Sequence, residues 1–272
     1  MKIVNFSSGL GNQVFIYLLV KYLERTFPKE HVYGYYNKRW LQGHNGLEIH
    51  KVLDVDLPKA TRWSDFVAIV LRIINKLVRV PFVATDDKVS KMSILYKGYW
   101  QDKKFFLDNI DNIHYRNFEL DEENKQLIHD MEKGASVSIH VRRGDYLTEA
   151  NRKIYGGICT LEYYKRAIQI AEDEVKKVRN EEIKFYVFSN DIEWCKANLS
   201  LPNVVFVNHN HGPKSYLDMF LMSHCQINIL ANSSFSYWGA MLNHRGGHLV
   251  VYPKKWFNNN TPDIFPSGWI GI

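Results

Sequence analysis

The sequence predicts an α/β protein whose C-terminal half forms a parallel, doubly wound sheet. Two observations lead to this fold class: short β-branched runs recur from residue 134 onward, and amphipathic helical patterns lie between them. With 272 residues, of which 46% are hydrophobic, the chain can bury a sizeable core in one large or two smaller domains. A formal net charge of +6 indicates an anionic partner: nucleic acid, a membrane surface or a phosphorylated ligand.

The N-terminus predicts a strand at Lys2–Phe6, a glycine and serine turn at 7–11 and a helix at 14–25. The turn reads Gly-Leu-Gly-Asn-Gln and lacks the third glycine of the dinucleotide fingerprint, which disfavours a nicotinamide enzyme. Asn12 and Gln13 are polar residues at the head of an otherwise apolar helix. They either cap this helix or reach into a cleft between two domains.

The middle of the chain contains turn signals but few periodic patterns. The sequence "GHNG" at 43–46 and Pro58 predict turns. The Asp-Val-Asp triplet at 54–56 is a weak match to a metal-binding pair of aspartates, and we interpret it as structural.

One helix is predicted in this middle region, at 64–80, with Ser64 as its cap and Pro81 after its end. Arg72, Lys76 and Arg79 follow one another at i, i+4 and i+7, with apolar residues elsewhere. This pattern favours either peripheral contact with an anionic bilayer or a core-packed helix with a solvated face.

The C-terminal half alternates regularly between strands and helices. Strands are predicted at 135–141, 183–189, 203–207, 225–230 and 248–252. The helices between them are predicted at 161–178, 191–199, 214–223 and 234–243. Such an alternation is typical of a parallel sheet with helices on both faces.

Polar residues follow several of these predicted strands. Arg142 and Arg143 come directly after the strand at 135–141, Asp191 follows the next strand, and Ser233 and Ser234 open a helix. Because ligands bind beyond the carboxyl ends of parallel strands, these residues predict a nucleoside-diphosphate site. The arginines would bind phosphate oxygens and the aspartate would accept hydrogen bonds from base or ribose. The alternatives are a solvated charge pair, ordinary helix caps and turn residues.

Five segments together carry a family resemblance. "GLGNQ", "GYWQDKKFF" at 98–106, "HVRRGDY", "FSNDIEWCK" and "NSSFSYWGAML" occur in this order over nearly the whole chain. The sequence therefore resembles the α-1,2-fucosyltransferases of glycosyltransferase family 11, particularly the bacterial members. The motif H-x-R-R-x-D is shared with α-1,6- and protein O-fucosyltransferases, so it indicates the donor GDP-fucose more firmly than the linkage formed.

The resemblance implies a GT-B architecture, in which two Rossmann-like domains face a cleft. Residues 1–133 would form the acceptor-side domain, 134–252 the GDP-fucose-binding domain, and 253–272 a tail that packs back on the first domain. It also implies an inverting transfer of fucose to the 2-hydroxyl of a galactose, with no metal ion and no cofactor besides the donor substrate. The expected acceptor is a galactose in a growing, lipid-linked surface glycan or in an oligosaccharide. The alternatives are a fucosyltransferase that forms another linkage and a non-catalytic nucleotide-sugar-binding protein.

The same resemblance assigns roles to individual residues. Arg142 would contact the donor diphosphate, and His140 and Arg143 would support the nucleotide pocket. Asp191 would lie near guanine or ribose, and Asn12 would face the fucose. The phosphate end would be lined by Ser233, Ser234 and Phe235.

Two carboxylates near the arginines are candidates for the catalytic base. Asp145 lies so close in sequence to Arg142 and Arg143 that an ion pair is expected, which suits a scaffold better than a base. Glu149 lies in the polar stretch "TEANRK", predicted as a loop able to reach the acceptor. Since an inverting transfer benefits from a carboxylate that accepts the proton of the acceptor hydroxyl, Glu149 is the preferred base.

Other function classes fit the sequence less well. The aromatic residues are scattered among apolar runs rather than interleaved with basic residues, which disfavours nucleic-acid binding. Three cysteines at 159, 195 and 225 have no metal-ligand spacing and are expected to be reduced. The first residues lack a secretory signal pattern and no apolar run could span a bilayer, so we expect a cytoplasmic protein, with peripheral contact at the inner face of the membrane left open.

Overall fold

The computed structural model describes residues 1–42, 45–85, 88–178 and 181–272. The chain folds into two compact units, Met1–Arg116 and Asn117–Ile272. Residues 43 and 44 of the predicted turn at 43–46 lie outside the described residues. None of the helices in the described ranges is long and apolar enough to cross a lipid bilayer.

The first unit is built around a parallel sheet. Its described strands are β1 (Lys2–Phe6), β2 (Val32–Tyr36), β3 (Val83–Thr85) and β4 (Leu95–Lys97), arranged in the order β2-β1-β4-β3. Its helices are α1 (Leu10–Thr26), α2 (Lys38–Leu41), α3 (Ile49–Val52) and α4 (Arg62–Leu77). The strand and helix predicted at the N-terminus are confirmed as β1 and α1, whereas β2, β3 and β4 were not predicted.

The helix predicted at 64–80 exists as α4, but it begins two residues earlier and ends three residues earlier than predicted. Thr61 is the N-cap, and Ser64 completes a capping box with it as the third helical residue. The guanidinium of Arg72 packs over the ring of Trp40, with 3.5 Å from its central carbon to the ring centroid. Arg72 is therefore half-buried against Trp40, whereas Lys76 and Arg79 are exposed, and Arg79 lies beyond the end of the helix at Leu77.

The second unit contains a longer parallel sheet. Its described strands are β5 (Ala135–Val141), β6 (Ile183–Ser189), β7 (Val204–Val207), β8 (Ile227–Ile229), β9 (Leu249–Tyr252) and β10 (Ile270–Gly271). Their order is β10-β9-β8-β5-β6-β7, which is the doubly wound Rossmann arrangement. Its helices are α5 (Glu122–Lys133), α6 (Glu149–Tyr155), α7 (Leu161–Val178), α8 (Ile192–Asn198), α9 (Tyr216–Met222) and α10 (Ser234–Met241).

The central strand β5 is buried along its whole length because both faces of the sheet are covered. Val137, Ile139 and Val141 pack in one core cluster with residues of α7. On the opposite face, Ser138 accepts a hydrogen bond from the buried amide of Asn228, at 2.7 Å. The five strands predicted for this half are confirmed to within two residues at each end, and so is the doubly wound class.

The unit boundary differs from the predicted division at residue 133. Helix α5 belongs to the second unit, because Met131 is fully buried in a core cluster with Tyr186 and its carbonyl accepts a bond from Ser136 at 2.6 Å. The segment 253–272, predicted to pack back on the first domain, also belongs to the second unit. Strand β10 pairs with β9, and the hydroxyl of Tyr237 donates to the carbonyl of Ile264 at 2.6 Å.

Candidate functional site

The predicted ligand site lies at the point where the strand order of the second sheet reverses. From β5 the chain proceeds outward to β6 and β7, and it then returns to β8 on the other side of β5. The connections that leave β5 and β8 therefore run apart at their carboxyl ends, which opens a crevice. Arg142 follows the last residue of β5, and Ser233 and Ser234 begin α10 shortly after β8. The sheet brings these residues to the same edge, as the sequence predicted.

The loop after β5 is held in place from several sides. The guanidinium of Arg142 is 28% exposed and forms an ion pair with Asp145, with 2.8 Å between Nη2 and Oδ1. It lies over the ring of Tyr146, which itself stacks on Tyr155 at a centroid distance of 4.6 Å. The hydroxyl of Tyr146 donates to the carbonyl oxygen of Asn232 at 3.0 Å. The arginine loop is thus tied to the residue that precedes the N-cap of α10.

Arg143 connects the ends of two neighbouring strands. Its backbone N–H donates to Oδ1 of Asn190 at 2.9 Å, and its Nε donates to Oδ2 of Asp191 at 2.9 Å. The hydrogen bond from Arg143 holds the pKa of Asp191 below its usual range. Gly144 has φ +35°, and a Cβ atom there would lie 2.2 Å from the amide nitrogen of Asn190. Glycine is therefore required beside this contact.

Asp191 also has a structural role that the sequence left open. Its Oδ1 accepts a hydrogen bond from the backbone N–H of Trp194 at 3.2 Å, which makes Asp191 the N-cap of α8. Both carboxylate oxygens thus have partners within the protein. The guanidinium of Arg143 lies 4.1 Å from the ring of Trp194. The predicted contact of Asp191 with base or ribose stays a prediction.

His140 is the penultimate residue of β5 and is buried. Burial and the neighbouring charge of Arg142 lower its pKa to about 3, so the imidazole is neutral at physiological pH. Its Nδ1 has no hydrogen-bond partner in the described part of the chain, and its ring lies 5.9 Å from that of Phe235. A buried nitrogen of this kind is suited to accept or donate one bond to a ligand.

The start of α10 contains the predicted serines. Ser233 is the N-cap, with its Oγ accepting from the N–H of Phe235 at 3.4 Å, and Ser234 is the first helical residue. The residue before them, Asn232, was not predicted as important. Its side-chain amide donates to the carbonyls of Tyr155 at 3.3 Å and Trp256 at 3.1 Å. Asn232 thus anchors the helix N-terminus to two distant segments.

Glu149 lies in a helix and not in a loop. Thr148 caps α6, in which Glu149 is the first residue, and the Glu149 side chain is 90% exposed and paired with Lys153 at 3.2 Å. A residue distant in sequence caps the C-terminal end of α6. The side-chain amide of Asn258 donates to the carbonyls of Arg152, Lys153 and Gly156 at 3.1 to 3.3 Å. The stretch predicted as a loop is therefore an ordered helix, which places Glu149 on its exposed first turn.

Asn12 lies in the first unit, at the corresponding edge of its sheet. Its amide donates to Oγ of Ser8 at 3.0 Å, and its carbonyl oxygen accepts from the amide of Gln101 at 3.0 Å. The N-cap of α1 is Gly9, so Asn12 does not cap this helix. Gln101 belongs to the segment "GYWQDKKFF", so this segment contacts the glycine loop, which the sequence had not predicted.

Gln13 is fully buried and has a structural function instead. Its amide donates to the carbonyls of Ser8 at 2.9 Å and Gly46 at 2.8 Å. Its carbonyl oxygen accepts from the N–H groups of Glu48 at 2.9 Å and Ile49 at 3.2 Å. This single side chain fixes the segment that leads into α3.

Comparisons with known proteins identify the family of this chain. The sequence profile of Glycosyl transferase family 11 matches residues 4–272. The chain belongs to glycosyltransferase family 11. Among curated relatives of this family 11 glycosyltransferase, an α-1,2-colitosyltransferase of Escherichia coli is 29% identical over 296 residues, covering 99% of this chain and 98% of the relative.

Two further relatives match the family 11 glycosyltransferase over about half of its length. The O-antigen biosynthesis glycosyltransferase WbnK of Escherichia coli is 39% identical over 143 residues, covering 52% of this chain and 46% of WbnK. Human galactoside α-(1,2)-fucosyltransferase 1 is 32% identical over 149 residues, covering 50% of this chain and 38% of the human protein.

A solved structure supports the fold of the family 11 glycosyltransferase. The fucosyltransferase NodZ from Bradyrhizobium superposes with a TM-score of 0.52 at 13% identity, covering 88% of this chain and 92% of NodZ. The predicted fold class, α/β with two Rossmann-like units of the GT-B type, is confirmed.

The site of this glycosyltransferase combines two groups that favour an anionic ligand, the guanidinium of Arg142 and the N-terminus of α10. The neutral ring of His140 adds a buried hydrogen-bonding group beside them. Unpaired N–H groups and the dipole at a helix N-terminus attract phosphate, and a guanidinium can donate two parallel hydrogen bonds to it. In the described ranges, no group of three or more His, Cys, Asp or Glu side chains is arranged to hold a metal ion.

Proposed function

We propose that this family 11 enzyme transfers L-fucose from GDP-fucose to the 2-hydroxyl of a galactose, with inversion at the anomeric carbon and without a metal ion. One observation carries the proposal: the Tyr146 hydroxyl joins the Arg142 loop to Asn232, directly before the N-cap of α10. A cation and a helix N-terminus are thereby fixed at one edge of the sheet. Departure of GDP develops negative charge on the β-phosphate, and such preorganised groups stabilise that charge.

The acceptor belongs to the same proposal. The name of WbnK refers to O-antigen biosynthesis. A galactose in a growing, lipid-linked surface glycan is therefore the acceptor we propose, with the reaction in the cytoplasm. Glu149, on the exposed first turn of α6, is the proposed base, and Asn12 is proposed to face the donor sugar.

A second donor is favoured by the relative that aligns with almost the whole chain, the α-1,2-colitosyltransferase. Colitose differs from fucose only by the absence of the 3-hydroxyl. A site built to hydrogen-bond a hydroxyl rejects an analogue that lacks it by about 10⁴-fold, whereas an apolar site rejects an added hydroxyl by only about 10²-fold. GDP-colitose is thus the alternative donor. An enzyme for GDP-fucose should discriminate against GDP-colitose more strongly than an enzyme for GDP-colitose discriminates against GDP-fucose.

The test is the release of GDP from each donor, with and without a β-galactoside acceptor, followed by assignment of the product linkage by NMR. Turnover that requires the acceptor, prefers GDP-fucose by several orders of magnitude and forms an α-1,2 linkage would support the proposal. A preference for GDP-colitose would show that colitose, not fucose, is the sugar transferred. Another product linkage would contradict the proposed transfer to the 2-hydroxyl, and GDP binding without turnover would indicate a non-catalytic binding protein. Activity should persist in EDTA, whereas strict dependence on added Mn²⁺ would contradict the metal-free mechanism.

A further inference from the structure

Helix α4 exposes a stripe of apolar side chains to solvent. Side chains spaced three or four residues apart form one continuous stripe along the helix, which we call the α4 apolar face: Trp63 (65% exposed), Phe66 (56%), Ile69 (45%), Ile73 (55%) and Leu77 (80%). Trp63 and Phe66 stack on each other at a centroid distance of 5.8 Å. Single exposed apolar residues are common, but a continuous patch of this kind marks an interaction surface.

Contacts with the rest of the first unit fix the inward side of α4. Ser64 and Ala68 are fully buried there, and Arg72 packs its guanidinium over Trp40. Asn75 accepts a hydrogen bond from the N–H of Val80 at 3.1 Å, which closes the end of the helix onto the chain that follows. Val67 and Leu71 also pack on this side, against the core cluster that contains Ala68. Rotating α4 to bury the exposed apolar face would break these contacts.

The surroundings of the α4 apolar face are basic. Residues 59–82 contain five lysines and arginines and a single aspartate, in a chain whose total formal charge is +6. Arg62, Lys76 and Arg79 are exposed beside the apolar face, whereas Asp65 is partly buried. An exposed apolar stripe bordered by cations is complementary to a lipid bilayer, which has an apolar acyl-chain layer beneath anionic headgroups.

From this combination we infer that the α4 apolar face docks on an anionic lipid bilayer. The stripe lies in the boundary between headgroups and acyl chains, Trp63 occupies the interface that tryptophan prefers, and the three cations contact the headgroups. A second copy of the chain fits the same surface poorly, because a two-fold contact would bring the same cations of both copies together. The inference does not rest on the proposed function, since it uses only the first unit's surface and charge.

The first experiment is co-sedimentation of the full chain with vesicles of phosphatidylcholine alone or mixed with phosphatidylglycerol. We expect binding to the mixed vesicles only, weakened about fivefold by each of Lys76→Gln and Arg79→Gln, since each cation near an anionic surface contributes roughly this factor. The double variant Ile73→Ser/Leu77→Ser should abolish binding. Matched controls are Val178→Ser and Lys177→Gln, which alter an exposed apolar residue and an exposed lysine at the end of α7 and should bind normally.

The second experiment locates the contact. Lipids brominated on the acyl chain should quench the tryptophan fluorescence of the wild type, and Trp63→Phe should remove this quenching while the protein still sediments with the vesicles. Binding that does not depend on the phosphatidylglycerol content, or that persists in Ile73→Ser/Leu77→Ser, would overturn the inference. A doubled molar mass by sedimentation analysis that Leu77→Ser returns to one chain would also overturn it, in favour of a dimer.

Discussion

Nε of Arg143 lies 2.9 Å from Oδ2 of Asp191, and this contact joins the carboxyl ends of β5 and β6. Two residues that the family resemblance assigns to the nucleotide pocket are thereby partners of each other. The pair fixes the guanidinium at the edge of the sheet and holds the N-cap of α8 in the same network. We expect the pair to shape the pocket as well as to contribute to folding stability.

The first prediction concerns the pH dependence of this pair. The hydrogen bond from Arg143 lowers the pKa of Asp191 in the folded state. The ion pair therefore contributes fully to stability above the unfolded-state pKa of about 3.9, and this contribution is lost as the pH falls through the lower folded-state pKa. Asp191→Asn keeps an oxygen for the cap but removes the charge. The variant should be less stable than the wild type at neutral pH, and the difference should vanish in acid. Urea unfolding over a pH series checks this, and a difference independent of pH would contradict it.

The second prediction concerns Arg142. Arg142→Lys should fold normally but lower kcat/KM by about 10²- to 10³-fold, because lysine lacks the planar pair of donors needed beside the leaving diphosphate. Arg166→Lys, at an exposed position of α7, is the matched control and should be fully active. Thermal unfolding and steady-state kinetics provide the two readouts. Near-normal turnover of Arg142→Lys would remove this residue from the mechanism.

The third prediction separates the two carboxylates near the arginines. Glu149→Gln should lower kcat strongly with almost unchanged GDP affinity, because the base acts on the acceptor. Asp145→Asn should weaken donor binding or folding as well, since Asp145 holds Arg142 at 2.8 Å. Glu162→Gln, which alters the first turn of α7 in the same way, serves as the control. Wild-type turnover of Glu149→Gln between pH 6 and 9 would mean that the base lies elsewhere or that the reaction needs none.

The fourth prediction contrasts two adjacent residues of the glycine loop. Gln13→Leu leaves the buried N–H groups of Glu48 and Ile49 and the partly buried carbonyls of Ser8 and Gly46 without this partner. Each buried group left unpaired costs about 1–3 kcal/mol. We expect a loss of about 3 kcal/mol or more in the free energy of unfolding. Asn12→Ala removes two side-chain contacts and should cost about 1 kcal/mol but reduce turnover, as expected for a residue facing the donor sugar. Equal effects of both variants on stability would contradict this division of roles.

The fifth prediction concerns Asp218, which accepts a hydrogen bond from the amide of Asn210 at 2.9 Å. Burial raises the pKa of this carboxyl to about 7. The folded state therefore retains a proton that the unfolded state has lost, and stability declines as the pH rises from about 4 to 7. Asp218→Asn should remove this decline and gain on the order of 1 kcal/mol above pH 7, with no gain below pH 4. Urea midpoints across this range provide the measurement.

The sequence predicted the second unit better than the first because of how each is built. Strands β5 to β9 alternate with well-separated helices, whereas β3 and β4 have three residues each and offer no period to detect. The helical periodicity of α4 could be recognised in the sequence. The side of α4 that faces the protein could not, because it depends on the contact of Arg72 with Trp40 in another element. The helix at Glu149 had a signal that was missed, since Thr148 followed by Glu149 is a normal helix start.

Several of the predicted site residues lie at one edge of the second sheet because the ends of its strands could be predicted from the sequence. Arg142, Arg143, Asp191 and Ser233 all follow strands whose positions were correct. Asn232 was missed because its importance lies in bonds to Tyr155 and Trp256, 77 and 24 residues away. Partners this distant have no local pattern.

The cap that Asn258 places on α6 also has a consequence for the order in which the chain folds. Arg152, one of the carbonyls it satisfies, precedes Asn258 by 106 residues. The N–H of Gly156 caps α6 locally, but the additional bonds from Asn258 cannot form until nearly all of the second unit has left the ribosome. Contacts of such long range form late and slow folding. The C-terminal end of α6 should therefore be among the last parts of the newly made protein to gain its full set of hydrogen bonds, at a stage when β5 and β6 are already paired.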